Sequence, residues 1–516
     1  MPKKDQMSQL KHNLIANFVG RGWAALMGIA FIPLYIKFMG IESYGLIGFF
    51  TTLQAVFALL DLGLTTTLNR EIARYSALAD KSQHMRDLVR TLETIYWGLA
   101  FSIGAVVLIL SPFIARGWVK ADALSVEVVQ KSVMLMGFVM AFQWPLGFYS
   151  GGLLGMQRQV LFNILSVIWY TLRFAGGVLV LRLVSPTVLT FFGWQVLVSA
   201  VSTGLMAMAL WRSLPASHER ARFRISILHS VWRFAAGMSG ISATVLVLTQ
   251  LDRIILSKML SLELFGYYTL AWTVANGLTI LTSSVFTVVF PIFSQRVAVG
   301  DIEGLKMLYH RSCQLISVLI LPVAILMALF AREILVIWIQ NPVTVANTHF
   351  LVSLLVIGTA LNGLMNLPYA LQLAHGWTSL AFYTNLISVS ILIPLLVVAT
   401  SHYGALGAAA VWIALNSGYV LISLQIMHHR LLKGEQWRWY FQDVGLPMVA
   451  ALSVIGVGRL LIQDSTPFLS VLGGIAIMLP LALTSAALAA SQIRIWVFGK
   501  FGTWIQVLLE KKGNVI

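Results

Sequence analysis

The sequence predicts an all-α integral membrane protein of about fourteen transmembrane helices, written as two halves of six spans with two further spans towards the C-terminus. Three observations carry that reading. Of 516 residues, 58% are hydrophobic and only 10% charged, and the mean hydropathy of +0.84 lies far outside the range of soluble domains. Apolar runs of about 20 residues or more, each long enough to cross the hydrocarbon core as a helix, recur from Leu14 almost to the end of the chain. Finally, one short phrase is written twice. KFMGIESYG from Lys37 and KMLSLELFG from Lys258, 221 positions apart, share the form K-x-x-x-Φ-E-x-Y/F-G.

The runs lie near 14–39, 44–67, 91–114, 131–155, 160–183, 187–211, 228–257, 265–291, 312–338, 347–373, 378–400, 405–427, 440–462 and 467–490. No alternating β-barrel pattern competes with them. The basic N-terminal segment MPKKDQMSQLKHN precedes a run too long for a signal peptide, with no small-residue cleavage site after it, so the first helix reads as retained. Prolines fall inside many runs, at Pro33, Pro145, Pro322, Pro368, Pro394, Pro447 and Pro480, as suits helices that bend around a cavity.

The net charge of +16 could suggest nucleic acid, but its placement argues otherwise. With a cytoplasmic N-terminus, 23 of the 35 Lys and Arg fall in the inner segments and about seven in the outer ones, which is the positive-inside bias. The excess charge then orients the chain and meets anionic membrane lipids, and no basic, aromatic soluble surface is left for nucleic acid.

The two copies of the repeated phrase link spans 1 and 2 and spans 7 and 8, both on the outer side. An even offset of six spans gives the two halves the same orientation, as in parallel-repeat transporters. The turns SPFIARGWV and FAREILVIWI repeat the correspondence more weakly after spans 3 and 9. The domains follow: an N-terminal lobe over 1–212, a basic cytoplasmic linker over 213–227, a C-terminal lobe over 228–430, spans 13 and 14 within 431–490, and a basic amphipathic cytoplasmic tail over 491–516. Every loop is short, so there is no room for a soluble catalytic domain.

Polar residues inside spans are costly and point to function. In span 1, Asn13, Asn17 and Arg21 share a face; in span 2, Thr51, Gln54, Asp61 and Thr65 form a stripe. Span 7 carries Ser242, Thr249 and Arg253 with Asp252 beside them, and span 8 carries Thr269, Asn276, Ser283 and Thr287. These are the helices that the repeated hairpins join, so pairs 1/2 and 7/8 are the expected walls of a polar cleft. Arg173, midway along span 5, adds a deep cation.

Plainer readings stand beside these. Arg21 and Asp61 could form a structural ion pair, and Asp252, Arg253, Arg233 and Arg459 could snorkel to an interface. His428 and His429 beside Arg430 read as a solvated interfacial cluster. Cys313, the single cysteine, has no disulfide partner and no metal-ligand neighbours at usual spacings. The sequence lacks a phosphate-binding Gly-rich loop, H-E-x-x-H and G-x-S-x-G, so neither ATP hydrolysis nor a metal or other cofactor is expected.

In FALLDLGLTTTLNREIARYSA (57–77) and LTQLDRIILSKMLSLELFGYYTLAWTVAN (248–276) the chain resembles the polysaccharide or O-antigen flippases, bacterial exporters of undecaprenyl-pyrophosphate-linked oligosaccharides. That family belongs to the multidrug/oligosaccharidyl-lipid/polysaccharide exporter superfamily. The resemblance implies a V-shaped molecule of two pseudo-symmetric six-helix lobes, an inner-membrane location, and alternating access for a lipid-linked oligosaccharide. It also implies a cationic central cavity, with polysaccharide polymerase and chain-length regulator as partners. On this reading Arg21, Arg173, Asn17, Gln54, Asn276 and Arg253 face the cargo, and Asp61 and Asp252 serve ion coupling. Asp61 departs from a purely cationic site, and a carboxylate near an arginine in a low-dielectric cleft could exchange a proton. The rivals are a cation-coupled multidrug exporter of the same superfamily, and a membrane glycan polymerase, ligase or scaffold.

Overall fold

The structure is a computed structural model; it describes residues 3–495 apart from 62, 77–80, 218, 228, 230–249 and 463–467. Those residues are almost wholly helical, and the chain is an all-α, multi-pass integral membrane protein. Among the described residues ten helices are long and apolar enough to cross a membrane, or up to eleven when Val19–Ala30 and Ile32–Phe57, bent by 43°, count as one broken span. The break falls just before Pro33, whose ring fixes φ and whose missing N–H suits the first turn of a helix.

Fourteen spans were expected, and the places where the described helices differ from that expectation can be located. The helix Ile32–Phe57 turns at Gly40, with φ 81° and ψ 165°, and the helical run 378–431 turns at Gly404, with φ 58° and ψ −139°. A run of 54 residues extends about 80 Å as a straight helix, more than twice the hydrocarbon core, so 378–431 holds two of the expected spans. Most of the expected span over 228–257 lies outside the described residues, as does the expected amphipathic tail beyond 495.

Two compact units are present, Met1–Gly266 and Tyr267–Ile516. In the first, the helices are α1 (Lys3–Ala30), α2 (Ile32–Phe57), α3 (Leu64–Ser76), α4 (Ser82–Phe113), α5 (Val126–Gly155), α6 (Gln159–Leu183) and α7 (Val188–Ser213). Local signals start several of them: Ser125 accepts the Val128 N–H and caps α5, and Thr187 does the same for α7 through Thr190. The core gathers Leu68, Ile72, Leu92, Tyr96, Phe148 and Leu210 from α3, α4, α5 and α7. Outward faces stay apolar, with Ile109 and Leu183 exposed, as lipid contact requires.

The basic linker is not a free strap. Asp87, 1% exposed, accepts the backbone N–H of Arg222 at 2.9 Å and pairs with Arg224 at 2.5 Å, while Thr91 Oγ1 accepts the Arg224 N–H at 2.9 Å. A buried carboxylate thus ties the cationic segment to the end of α4, where the Arg222 N–H, the Gln83 side-chain amide and the Arg224 guanidinium compensate its desolvation.

The repeated phrase has a structural reason. Gly45 of the first copy lies against the Leu262 carbonyl, and Gly266 of the second lies against the Ile41 carbonyl. Each glycine therefore packs on the Φ position of the other copy, an approach that a Cβ on either would block. The turn after α4 staples both copies: Glu42 accepts the N–H groups of Asp122 (2.7 Å) and Ala123 (2.9 Å), while Leu262 N donates to Lys120 O at 2.7 Å. Trp118 Nε1 donates to Ser257 Oγ at 3.0 Å.

In the second unit, the helix Ile302–Leu329 is central. Leu446–Leu461 and Phe468–Ala489, the two helices beyond the duplication, pack on it through Phe330, Ala451, Ile455, Ala482 and Ala486. Arg459, expected to snorkel, instead pairs with Glu333 and lies over the Phe330 ring.

Candidate functional site

A cavity of about 610 Å³ opens within the first unit, walled by α1, α2, α5 and α6. Its polar lining is mostly carboxamide. Asn17 Nδ2 donates to Gln159 Oε1 at 2.8 Å, Asn163 Nδ2 donates to Asn17 Oδ1 at 2.7 Å, and across the cavity Gln54 Nε2 donates to Gln143 Oε1 at 3.0 Å. Each amide keeps unused donors or acceptors after these bonds, so the wall can still bind hydroxyl groups. Trp144, Phe162, Trp169 and Tyr170 supply flat apolar faces between the amides.

Arg21 is the one charged side chain among the described lining residues, and it is exposed. Among the described residues no ion pair joins it to Asp61, so the structural-pair reading of those two finds no support. Asp61 ends the short helix Ala58–Asp61 and accepts from Thr65 Oγ1 at 2.6 Å, with Thr65 Oγ1 also 2.8 Å from the Tyr96 hydroxyl. Ala58, three residues earlier, lines the cavity; Asp61 does not.

Arg173 is not among the described lining residues of the cavity. Its guanidinium lies 5.4 Å from the Trp169 ring and 5.8 Å from the Phe174 ring, a cation–π arrangement that reaches a lining indole. Asp252 and Arg253 are half-buried on a helical segment of the first unit, away from the cavity lining. Asn276 belongs to the second unit, where it is exposed and its carbonyl O accepts from Thr279 Oγ1 at 2.7 Å.

Three of the expected residues, Asn17, Arg21 and Gln54, thus share one cavity. Sequence reasoning selected α1 and α2, took only Arg173 from α6 and passed over α5. The available signal was Gln159, Asn163 and Ser166, which follow a helical i, i+4, i+7 spacing at the start of α6.

A second polar cluster also escaped. His310, fully buried, has Asp443 Oδ2 2.5 Å from Nδ1 and Glu435 Oε2 3.2 Å from Nε2. Gln314 donates to Asp443 Oδ1 at 2.9 Å and accepts the Gln492 N–H at 2.8 Å. His428, expected to be solvated, is buried 3.2 Å from the Tyr309 hydroxyl, because its helix turns that face inward; His429 stays exposed. The cluster binds Ile302–Leu329 to the C-terminal helices, and a groove or cavity that would make it a transport site is not among the described features.

Comparison with known proteins agrees with this architecture. A family model described as polysaccharide biosynthesis protein matches residues 10–297. A Shigella flexneri protein described as "Putative O-antigen transporter" is 24% identical over 416 residues, covering 79% of this chain and 94% of that protein. Among solved structures, the lipid II flippase MurJ in an inward closed conformation superposes with a TM-score of 0.66 at 14% identity, over 92% of this chain and 98% of that one. An inward-facing multidrug resistance MATE family transporter of the MOP superfamily gives 0.64 at 15% identity, over 79% and 94%. The fold is therefore that of the MurJ and MATE transporters, and the chain belongs to the polysaccharide biosynthesis protein family.

Proposed function

We propose that this protein is a flippase that moves a polyprenyl-pyrophosphate-linked oligosaccharide from the inner to the outer leaflet of a bacterial inner membrane by alternating access. The observation that carries the reading is the cavity of the first unit, where one arginine, with no ion pair among the described residues, stands among amides and aromatic rings. Sugars present hydroxyl groups and apolar ring faces, and amides with indoles complement both. Arg21 would meet the pyrophosphate through charge-assisted, bidentate hydrogen bonds. Arg173 would act through Trp169, and Asp61 would exchange a proton or serve as counter-ion for an empty site. Asn276, Arg253 and Asp252 would enter only where other steps of the cycle expose them to cargo.

The fuller architecture belongs to the same proposal: fourteen spans, two six-helix lobes moving against each other, and both termini cytoplasmic. A multidrug exporter of cationic compounds is the rival that the fold allows. The described lining of the cavity carries no carboxylate, and a cationic cargo would meet Arg21 as a like charge. Polymerase and chain-length regulator remain the proposed partners.

The test is the leaflet location of the lipid-linked oligosaccharide in cells lacking the protein, complemented with wild type, Arg21→Ala, Arg173→Ala or Asp61→Asn. Cargo held inside without the protein, and not released by Arg21→Ala at normal protein levels, supports the proposal. Cargo that reaches the outer leaflet regardless, yet remains unpolymerised, transfers the function to an enzyme or scaffold role.

A further inference from the structure

The second unit holds two hollows that meet at one residue. The first, about 870 Å³, is framed by Trp377, Gln425, His429, Arg430, Lys433 and Gln436. Two permanent cations and a histidine line it, and none of its described lining residues is acidic. Glu435, the nearest carboxylate in sequence, is turned away to Lys306, His310 and Arg438. Arg430 is held 4.3 Å above the Trp377 ring, so one cation is fixed in position while its N–H edge stays available.

The second hollow is an apolar groove of about 410 Å³ along the helical run 378–431 and the turn Tyr419–Ser423. Ile387, Ile391, Leu395, Leu415 and Ile422 line it, and Ile426 lines both hollows. From Ile426 back to Val411 the groove follows fifteen residues of helix, about 22 Å of depth from the basic pocket. Trp437 and Phe441, exposed and stacked 5.9 Å apart beside the pocket, mark the level of a membrane–water interface.

Exposed apolar side chains are ordinary on a membrane helix. A concave apolar groove that shares the lining residue Ile426 with a cationic, indole-bearing pocket is not ordinary. The pocket matches a phosphate, and the groove matches one hydrocarbon chain rather than two. We infer that the second unit binds a single-tailed, phosphate-headed lipid, a polyprenyl phosphate, with its phosphate at Arg430 and Lys433 and its tail in the groove beside Gly418. This site is separate from the Arg21 cavity; only the choice of a polyprenyl tail rests on the cargo proposed above.

The test uses the full chain carrying Arg21→Ala, to remove the cavity's own cation, in phosphatidylcholine nanodiscs, with bound lipid read by native mass spectrometry. The probes are undecaprenyl phosphate, undecaprenol, inorganic phosphate and phosphatidylglycerol. The expected result is one undecaprenyl phosphate per chain. Undecaprenol and inorganic phosphate, each lacking one half of the ligand, should bind at least about tenfold more weakly.

Arg430→Ala with Lys433→Ala should weaken undecaprenyl phosphate binding at least about tenfold. Gly418→Phe should weaken it as well: Gly418 lines the groove and a Cβ there meets no atom within 4 Å, so the new side chain starts into open space. Retained binding in both variants, inorganic phosphate binding as tightly as the lipid, or equal binding of phosphatidylglycerol would each overturn the inference. Thermal unfolding at the wild-type temperature identifies variants that remain folded.

Discussion

Replacing Gly45 with alanine probes the contact between the two copies of the repeated phrase. A Cβ at Gly45 would be driven into the Leu262 carbonyl oxygen, far inside the 3.4 Å at which ordinary contact begins, and would meet Leu262 Cδ1 at 3.2 Å. The reciprocal Cβ at Gly266 would stand 2.5 Å from the Ile41 carbonyl oxygen. Neither backbone can give cheaply, because Leu262 N is bonded to Lys120 O and Glu42 holds the N–H groups of Asp122 and Ala123. Overpacking of this kind costs about 1–3 kcal/mol. Alanine also gains about 0.5–1 kcal/mol over glycine in a helix, but Gly98→Ala on α4 takes the same gain, and its Cβ meets nothing within 4 Å. The helix gain cancels in the comparison. Denaturant or thermal unfolding of the full-length protein in detergent should therefore place Gly45→Ala about 1–3 kcal/mol below Gly98→Ala. The Gly45→Ala, Gly266→Ala double variant should cost less than the sum of its parts, since one opening relieves both clashes. Equal stability of Gly45→Ala and Gly98→Ala would refute the close-approach argument.

Other substitutions test other parts of the structure. Gly20→Ala places a Cβ onto the Asn163 amide at the cavity wall, whereas Gly22→Ala meets nothing within 4 Å, so only the first should lower transport at equal protein levels. Arg173→Ala should shift the Trp169 emission and lower transport, while Arg173→Lys, which keeps charge but loses the planar stack, should recover only part of it. Asp443→Ala leaves His310 and Gln314 without their shared partner in a fully buried site, and should destabilise the second unit by about 3–5 kcal/mol in an unfolding assay. Asp87→Ala should release the 219–227 segment from α4, read as faster proteolysis at Arg220, Arg222 and Arg224.

Hydropathy alone was enough to establish a helical, multi-pass membrane protein, because a lipid environment leaves a backbone few other ways to satisfy its hydrogen bonds. Charge placement and the duplicated phrase were also legible in one dimension, and the phrase proved to be a pair of contacts: the spacing that recurs after 221 residues is the spacing that lets each glycine meet the other copy's carbonyl. Asn17, Arg21 and Gln54 were found from helical periodicity, which reports which residues share a face. Periodicity does not report which helix that face meets. Pairing α1 with α6 brought in Gln159, Asn163 and Trp169, and left Arg173 out of the described lining and against the Trp169 ring. Folding of later helices onto Ile302–Leu329 buried Asp443 against His310 and His428 against Tyr309, each partner more than a hundred residues away in sequence. The sequence thus determined what each helix could present to water, lipid or a neighbour, and tertiary packing decided which presentations meet, because long-range side-chain contacts depend on the three-dimensional pairing of helices that hydropathy leaves open.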